Sequence, residues 1–177
     1  ILYIIKVIYN TSNYPYYKIK FTNNKYTEEG FNEHIKNFHN LYNLCNQNNG
    51  KMILIIDLRN ISMPPLNFIK RQVKFMKEIK LLSKEYIAET IFITCSLTKK
   101  LVDILFIYEK PVSPYVIFDN ESTAIKYLQD NVKRFSSLLE LNSNIKTIND
   151  NLDTNKIIKE KKDENEIILD KIKELYT

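Results

Sequence analysis

The sequence predicts an α/β fold built on a mostly parallel sheet. Two observations carry that expectation. The first is the stretch 51–66, KMILIIDLRNISMPPL, where a continuous apolar run (residues 52–56) meets the acid Asp57, then a loop, then Pro64 and Pro65. An apolar run of that length, so bounded, reads as a strand buried on both faces. Proline is tolerated in the first turn of a helix, where its missing N–H has no partner to lose. The second is order. Strand-like runs alternate with segments of helical period as far as Val132, the pattern of strands joined by helical crossovers.

Each element follows from local chemistry. Residues 2–9 (LYIIKVIY) are β-branched and aromatic, and 16–22 (YYKIKFT) place Tyr17, Ile19 and Phe21 on one face, so the two read as an antiparallel pair. Thr27 is an N-cap, and Glu28 and Glu29 suit the positive end of a helix. Phe31, Ile35, Phe38, Leu41, Tyr42 and Cys45 then recur at helical spacing until Asn48-Asn49-Gly50 stops the helix. After the strand 52–58, the residues Leu66, Ile69, Val73, Met76, Ile79 and Leu82 predict one amphipathic helix over 64–83, with Lys70, Arg71, Lys74 and Lys77 on its solvated side. TIFIT (90–94) reads as the next buried strand. Ser96 reads as the cap of a helix whose inward positions are Leu97, Leu101, Ile104, Leu105 and Tyr108. Pro111 and Pro114 break the chain before a short strand, YVIF (115–118). Asn120 then caps a helix that turns Ala124, Ile125, Leu128 and Val132 inward. The expected order is β-β-α-β-α-β-α-β-α over residues 1–133, with 134–177 as a charged helical extension.

That extension carries Leu138, Leu141, Ile145, Ile148 and Leu152 at alternating steps of three and four, the a/d repeat of a coiled coil over barely two heptads. The positions are expected to serve self-association or a partner helix. The repeat falters at Asn155 and Lys159, and the run KEKKDENE is almost wholly charged.

Composition bounds the function. The 177 residues, 44% hydrophobic and 27% charged, can bury a core. Gly30 and Gly50 are the only glycines, which excludes a glycine-rich phosphate loop. The abundance of Ile, Asn, Lys, Tyr and Phe suits an AT-rich coding genome. The net charge of +5 comes from lysines spread along the chain, with arginine only at positions 59, 71 and 134, so no specific nucleic-acid site is expected. Cys45 and Cys95 lie on apolar faces and read as buried free thiols in a reducing, intracellular compartment. His34 and His39 are five apart, off the spacing that puts two metal ligands on one helix face. Residues 1–9 lack a charged leader and a small-residue cleavage site, and no apolar run reaches ~18–20 residues. A protein without a membrane-spanning segment is expected. No metal, cofactor or nucleophile–base pair emerges, so the expectation is a chain that is not an enzyme. Asp57 at its strand end reads as an acceptor for N–H groups of the following loop, with Arg59 as a possible ion-pair partner.

The order of these elements resembles the STAS domain of anti-anti-sigma factors and sulfate-transporter tails. The resemblance is carried by TEEGFNEHIKNFHNLYNL after the second strand, by MILIIDLRNIS with a helix straight after it, by TIFITCS leading into LTKKLVDILFIYEK, and by the closing FDNESTAIKYL. It implies a non-catalytic interaction module that docks a partner through the loop and helix start at 59–68, with Arg59, Ser62, Met63 and Phe68 as contacts. Phosphoregulated members open this helix with an acidic residue, a serine pair and a glycine. Here the place reads Met63-Pro64-Pro65-Leu66, and Ser62 lies just ahead of it, which puts phosphoswitching in doubt. Two other readings stay open: a structural protein of a large assembly or virion, and a Sec14-like small-lipid carrier, whose strand–helix order is similar.

Overall fold

A computed structural model describes residues 7–11, 14–21 and 26–137. The elements are β1 (Val7–Asn10), β2 (Tyr16–Phe21), α1 (Glu28–Gln47), β3 (Met52–Asp57), α2 (Leu66–Glu78), α3 (Lys80–Tyr86), β4 (Ile87–Ile93), α4 (Ser96–Tyr108), β5 (Tyr115–Phe118) and α5 (Glu121–Asp130). The five strands lie in sequence order in one sheet. β1 pairs antiparallel with β2, and every other pair is parallel. The expected α/β fold class is thus the observed one. The coiled-coil positions Leu138, Leu141, Ile145, Ile148 and Leu152 lie outside the described residues.

Strand alternation divides the core in two. Tyr17, Ile19, Phe21, Met52, Leu54 and Phe92 face the layer made by α1–α4. Tyr16, Ile53, Ile55, Ile91 and Ile93 face the opposite layer, which holds Ala124, Leu128, Val132 and Phe135. The three crossovers therefore share one face, and α5 closes the other. Residues 132–137 are helical, and Phe135 is fully buried with its ring edge-on to Tyr16. Packing thus continues past residue 133, where the sequence alone placed the end of the domain.

The caps at Thr27 and Asn120 are as expected, each side chain accepting from the backbone N–H three residues on. The end of α1 differs in detail. Asn49 rather than Gly50 takes the left-handed conformation (φ 50°). Gly50 N–H bonds Cys45 O and Asn49 N–H bonds Asn46 O, the two bonds of a Schellman motif. A Cβ at position 50 would stand 1.9 Å from the Tyr14 hydroxyl oxygen, so any other residue there would push the end of that ring aside.

Three helix expectations are corrected. The helix expected over 64–83 is two helices, broken at Ile79, and Pro65 precedes the first helical residue instead of occupying it. Phe68, Ile69, Phe75 and Ile79 are buried, while Leu66, in the first turn of α2, is 64% exposed. In α4 the buried positions are Thr98, Leu101, Val102 and Phe106, and Leu97 and Tyr108 face solvent. Cys95, not Ser96, is the N-cap, in a reciprocal box with Thr98, and its thiol is only half buried. Cys45 is buried as expected, and burial pushes its thiol up to about 12.

His34 lies on α1, as expected, off metal-ligand spacing with His39. It is buried among Phe21, Phe31, Phe38 and Phe75, with ring centroids 5.7–6.2 Å away. Burial lowers its pKa from 6.5 to about 4. The unfolded chain therefore takes up a proton at His34 before the folded one does, so stability falls as pH drops from about 6.5 to about 4 and the effect is complete below that. The ceiling is about 3 kcal/mol. Urea unfolding at pH 7 and pH 4.5 should show this loss, and His34→Phe should show markedly less of it.

Candidate functional site

The carboxyl edge of the sheet gathers most of the residues singled out in the sequence. β3 ends at Asp57, which is 1% exposed although it is an acid. Its Oδ1 accepts from Arg59 Nε at 2.9 Å and from the Arg59 backbone N–H at 3.2 Å, and its Oδ2 accepts from Arg59 Nη2 at 2.7 Å. The loop thus turns back so that one residue satisfies the carboxylate with its guanidinium fork and its main chain. Arg59 Nη2 also donates to Glu121 at the first turn of α5, at 2.5 Å, and Lys18 of β2 donates to the other Glu121 oxygen at 2.8 Å.

Two cations and two carboxylates balance in this network, which ties β2, β3, the 58–65 loop and α5 together. Burial by itself would raise the Asp57 carboxyl. The bonds from the Arg59 guanidinium and N–H, with the charges of Arg59 and Lys18, reverse this and hold it below the usual carboxylate range. Glu121 behaves likewise: burial pushes up, and bonds from Lys18 and Arg59 bring it down. Arg59 is held above its ordinary value, chiefly by its bond to Asp57.

The Asp57–Arg59 pairing was foreseen as a weak surface pair. Because Asp57 is buried, losing Arg59 would leave its carboxylate without water or partner, so the pair matters to this edge. Lys18 and Glu121 were not connected to it, since 103 residues separate them. Alternation with Tyr17 and Ile19 placed Lys18 on the other face of β2, and the β2–β3 register brings that face level with Ile55 and Asp57.

The remaining expected contacts separate. Ser62 is half buried, and its carbonyl accepts from the Tyr26 hydroxyl at 2.6 Å. Met63 is 39% exposed. Phe68, expected at the surface, turns inward (7% exposed) and packs on Tyr26 and Phe31 at 5.4 and 5.8 Å. Leu66 and Leu97, both expected inside, are exposed instead, at the first turns of α2 and α4 on the same edge of the sheet.

Beneath this edge, between the sheet and α1, α2 and α4, lies a cavity of about 180 Å³. Its wall includes Phe21, Phe31, His34, Phe68 and Phe75, and Lys80 and Glu109, which also border it, form an ion pair at 2.7 Å. At the other end of the sheet Glu89, 2% exposed, is bonded by Arg134 at 2.6 Å and by the Tyr127 hydroxyl. Among the described residues no group of three His, Cys, Asp or Glu could hold a metal, and no helix is long and apolar enough to cross a membrane.

No family model matches the chain, and no curated protein matches it. Among solved structures it is similar to an uncharacterised protein of the DUF3478 family from Shewanella loihica, which has a SpoIIAA-like fold. The identity is 13% and the TM-score 0.52, covering 72% of this chain and 96% of that one. At that identity the likeness shows the fold alone, a SpoIIAA-like and hence STAS-like one.

Removing Arg59 leaves the Asp57 carboxylate buried without its main partner, which should cost about 3 kcal/mol. Arg59→Met should lower the urea midpoint accordingly, and Asp57→Asn in the same chain should restore part of the loss. Equal midpoints for wild type and Arg59→Met would mean the pair does not hold this edge.

Proposed function

We propose that the chain is a non-catalytic interaction module of the STAS-like kind, which docks a protein partner through the loop and helix start at the carboxyl edge. The supporting observation is the division of labour there. Arg59 is committed to Asp57 and Glu121, so the loop is stiff, while Met63 and Leu66 offer apolar side chains to solvent beside it. A fixed loop carrying exposed apolar groups suits binding, because little ordering entropy is then lost on association. The carboxylates that could have done acid–base work are neutralised by partners, which also favours a binding role over catalysis. In this reading Met63 and Leu66 make the contact, Arg59 holds the surface in shape, and Phe68 supports it from beneath.

The expected stripe Leu138, Leu141, Ile145, Ile148 and Leu152 is proposed to add self-association or a partner helix. A scaffold role in a large assembly would use the same surfaces. The lipid-carrier reading is less favoured. A cavity of about 180 Å³ barely exceeds one of ~150 Å³ that holds a single benzene ring, so a two-chain lipid does not fit it.

A photo-crosslinking residue at Leu66 should yield one discrete adduct in cells, and the same residue at Lys126 should not. Identical adducts, or none, at both positions would refute docking at this edge. Light scattering on the full chain and on a version ending at Ser137 should show a larger oligomer only for the full chain.

A further inference from the structure

The cavity between the sheet and its helices is mostly apolar, and the imidazole of His34 stands among the phenylalanine rings of its wall, apart from the buried Thr90 and Ser113 that also border it. The Tyr9 hydroxyl lies 2.8 Å from His34 Nδ1 and 3.1 Å from the His34 carbonyl oxygen. A carbonyl can only accept, so the single Tyr9 proton goes to it. Both contacts are then satisfied only if Nδ1 carries a hydrogen and donates to the Tyr9 oxygen. That leaves Nε2 as a lone-pair acceptor. Among the described residues no group bonds it. His34 borders the cavity and Tyr9 does not, and Nε2, unbonded yet not among the fully buried unpartnered atoms, is the ring nitrogen left to the cavity.

Phe21, Phe31, Phe38, Phe68 and Phe75 provide aromatic surface around it. An unfilled apolar volume of this size forfeits stability that a bound molecule would restore. Nε2 is unbonded but not sealed, since the Tyr16 hydroxyl alone is a fully buried side-chain polar atom without a partner among the described residues, so a ligand hydroxyl there would take the place of water. The charged groups at its border, Lys80 and Glu109, are paired with each other, and beside His34 the wall is aromatic, which favours an uncharged molecule there.

We propose that this cavity binds one uncharged molecule of about single-ring size bearing a hydroxyl, and that the hydroxyl donates its proton to Nε2 of His34. The aromatic wall selects the body of the ligand, and His34 selects a hydroxyl over a plain hydrocarbon. The volume sets the upper size, because a ~150 Å³ apolar cavity accepts benzene. Ligand and protein docking are separate properties, although Leu58, Ile61, Pro64 and Phe68, which border the cavity, belong to the loop and helix start above it.

The test uses the full chain with p-cresol and toluene, which differ by one hydroxyl. A purely apolar cavity would prefer toluene, since the cresol hydroxyl would lose its bonds to water. A waiting acceptor reverses the order, and p-cresol should bind about three- to tenfold more tightly in calorimetric titration. Long-range ¹H–¹⁵N spectra should show His34 protonated on Nδ1, with the Nε2 resonance moved by p-cresol and left in place by toluene. His34→Phe, checked for folding by circular dichroism, should bind toluene and lose the preference for p-cresol. Binding of neither probe, equal or tighter binding of toluene, or an Nε2 resonance indifferent to p-cresol would each overturn the proposal. The wild-type measurements decide it even if the variant does not fold.

Discussion

The buried carboxylate of Asp57 is the constraint on which the carboxyl edge depends. A carboxylate at 1% exposure is tolerable only if hydrogen bonds and an opposite charge replace the water it has lost. Arg59 provides both, and to do so the chain must turn sharply after β3. That turn delivers the loop carrying Ser62, Met63 and the two prolines to the start of α2. Glu121 and Lys18 extend the constraint to α5 and β2, so both faces of the sheet are anchored to one network. The fold and the proposed docking surface thus share a cause.

The two faces of the sheet are filled differently. On the α5 side, Phe135, Leu128 and Ala124 pack on Tyr16 and the isoleucines of β3 and β4. On the other side four helices cover the sheet with large rings, several of them edge to face. The cavity lies there. It is flanked by the Lys80–Glu109 ion pair and lined by His34, whose neutral state follows from burial. The same face therefore supplies the stiff upper loop and a compressible space beneath it.

Much of the architecture was legible in the residues. The continuous run 52–56 ending in Asp57, the caps at Thr27 and Asn120, and the alternation of strand and helix gave the α/β order directly. What sequence reading missed has physical reasons. A stripe read as one helix from 64 to 83 passes over the break at Ile79, and within α2 the face turned inward carries Phe68, Ile69 and Phe75 while Leu66 sits in the exposed first turn. His34 reads as polar, yet a neutral imidazole with one bonded nitrogen packs well among phenylalanines. Residues 134 and 135 seemed to begin a charged tail, but Phe135 completes the second core and Arg134 satisfies Glu89. The Lys18–Glu121 bond depends on strand register, which local pattern does not reveal.

The central claim is that the Asp57–Arg59–Glu121 network fixes the loop that opens α2. Amide hydrogen exchange on the wild type and on Arg59→Met tests it most directly. The account predicts faster exchange at the Arg59 and Ile61 amides and in the first turn of α5, with β3 and β4 amides such as Ile55 and Ile91 as protected as before. Unchanged exchange in the loop, or uniform acceleration across the whole sheet, would contradict it.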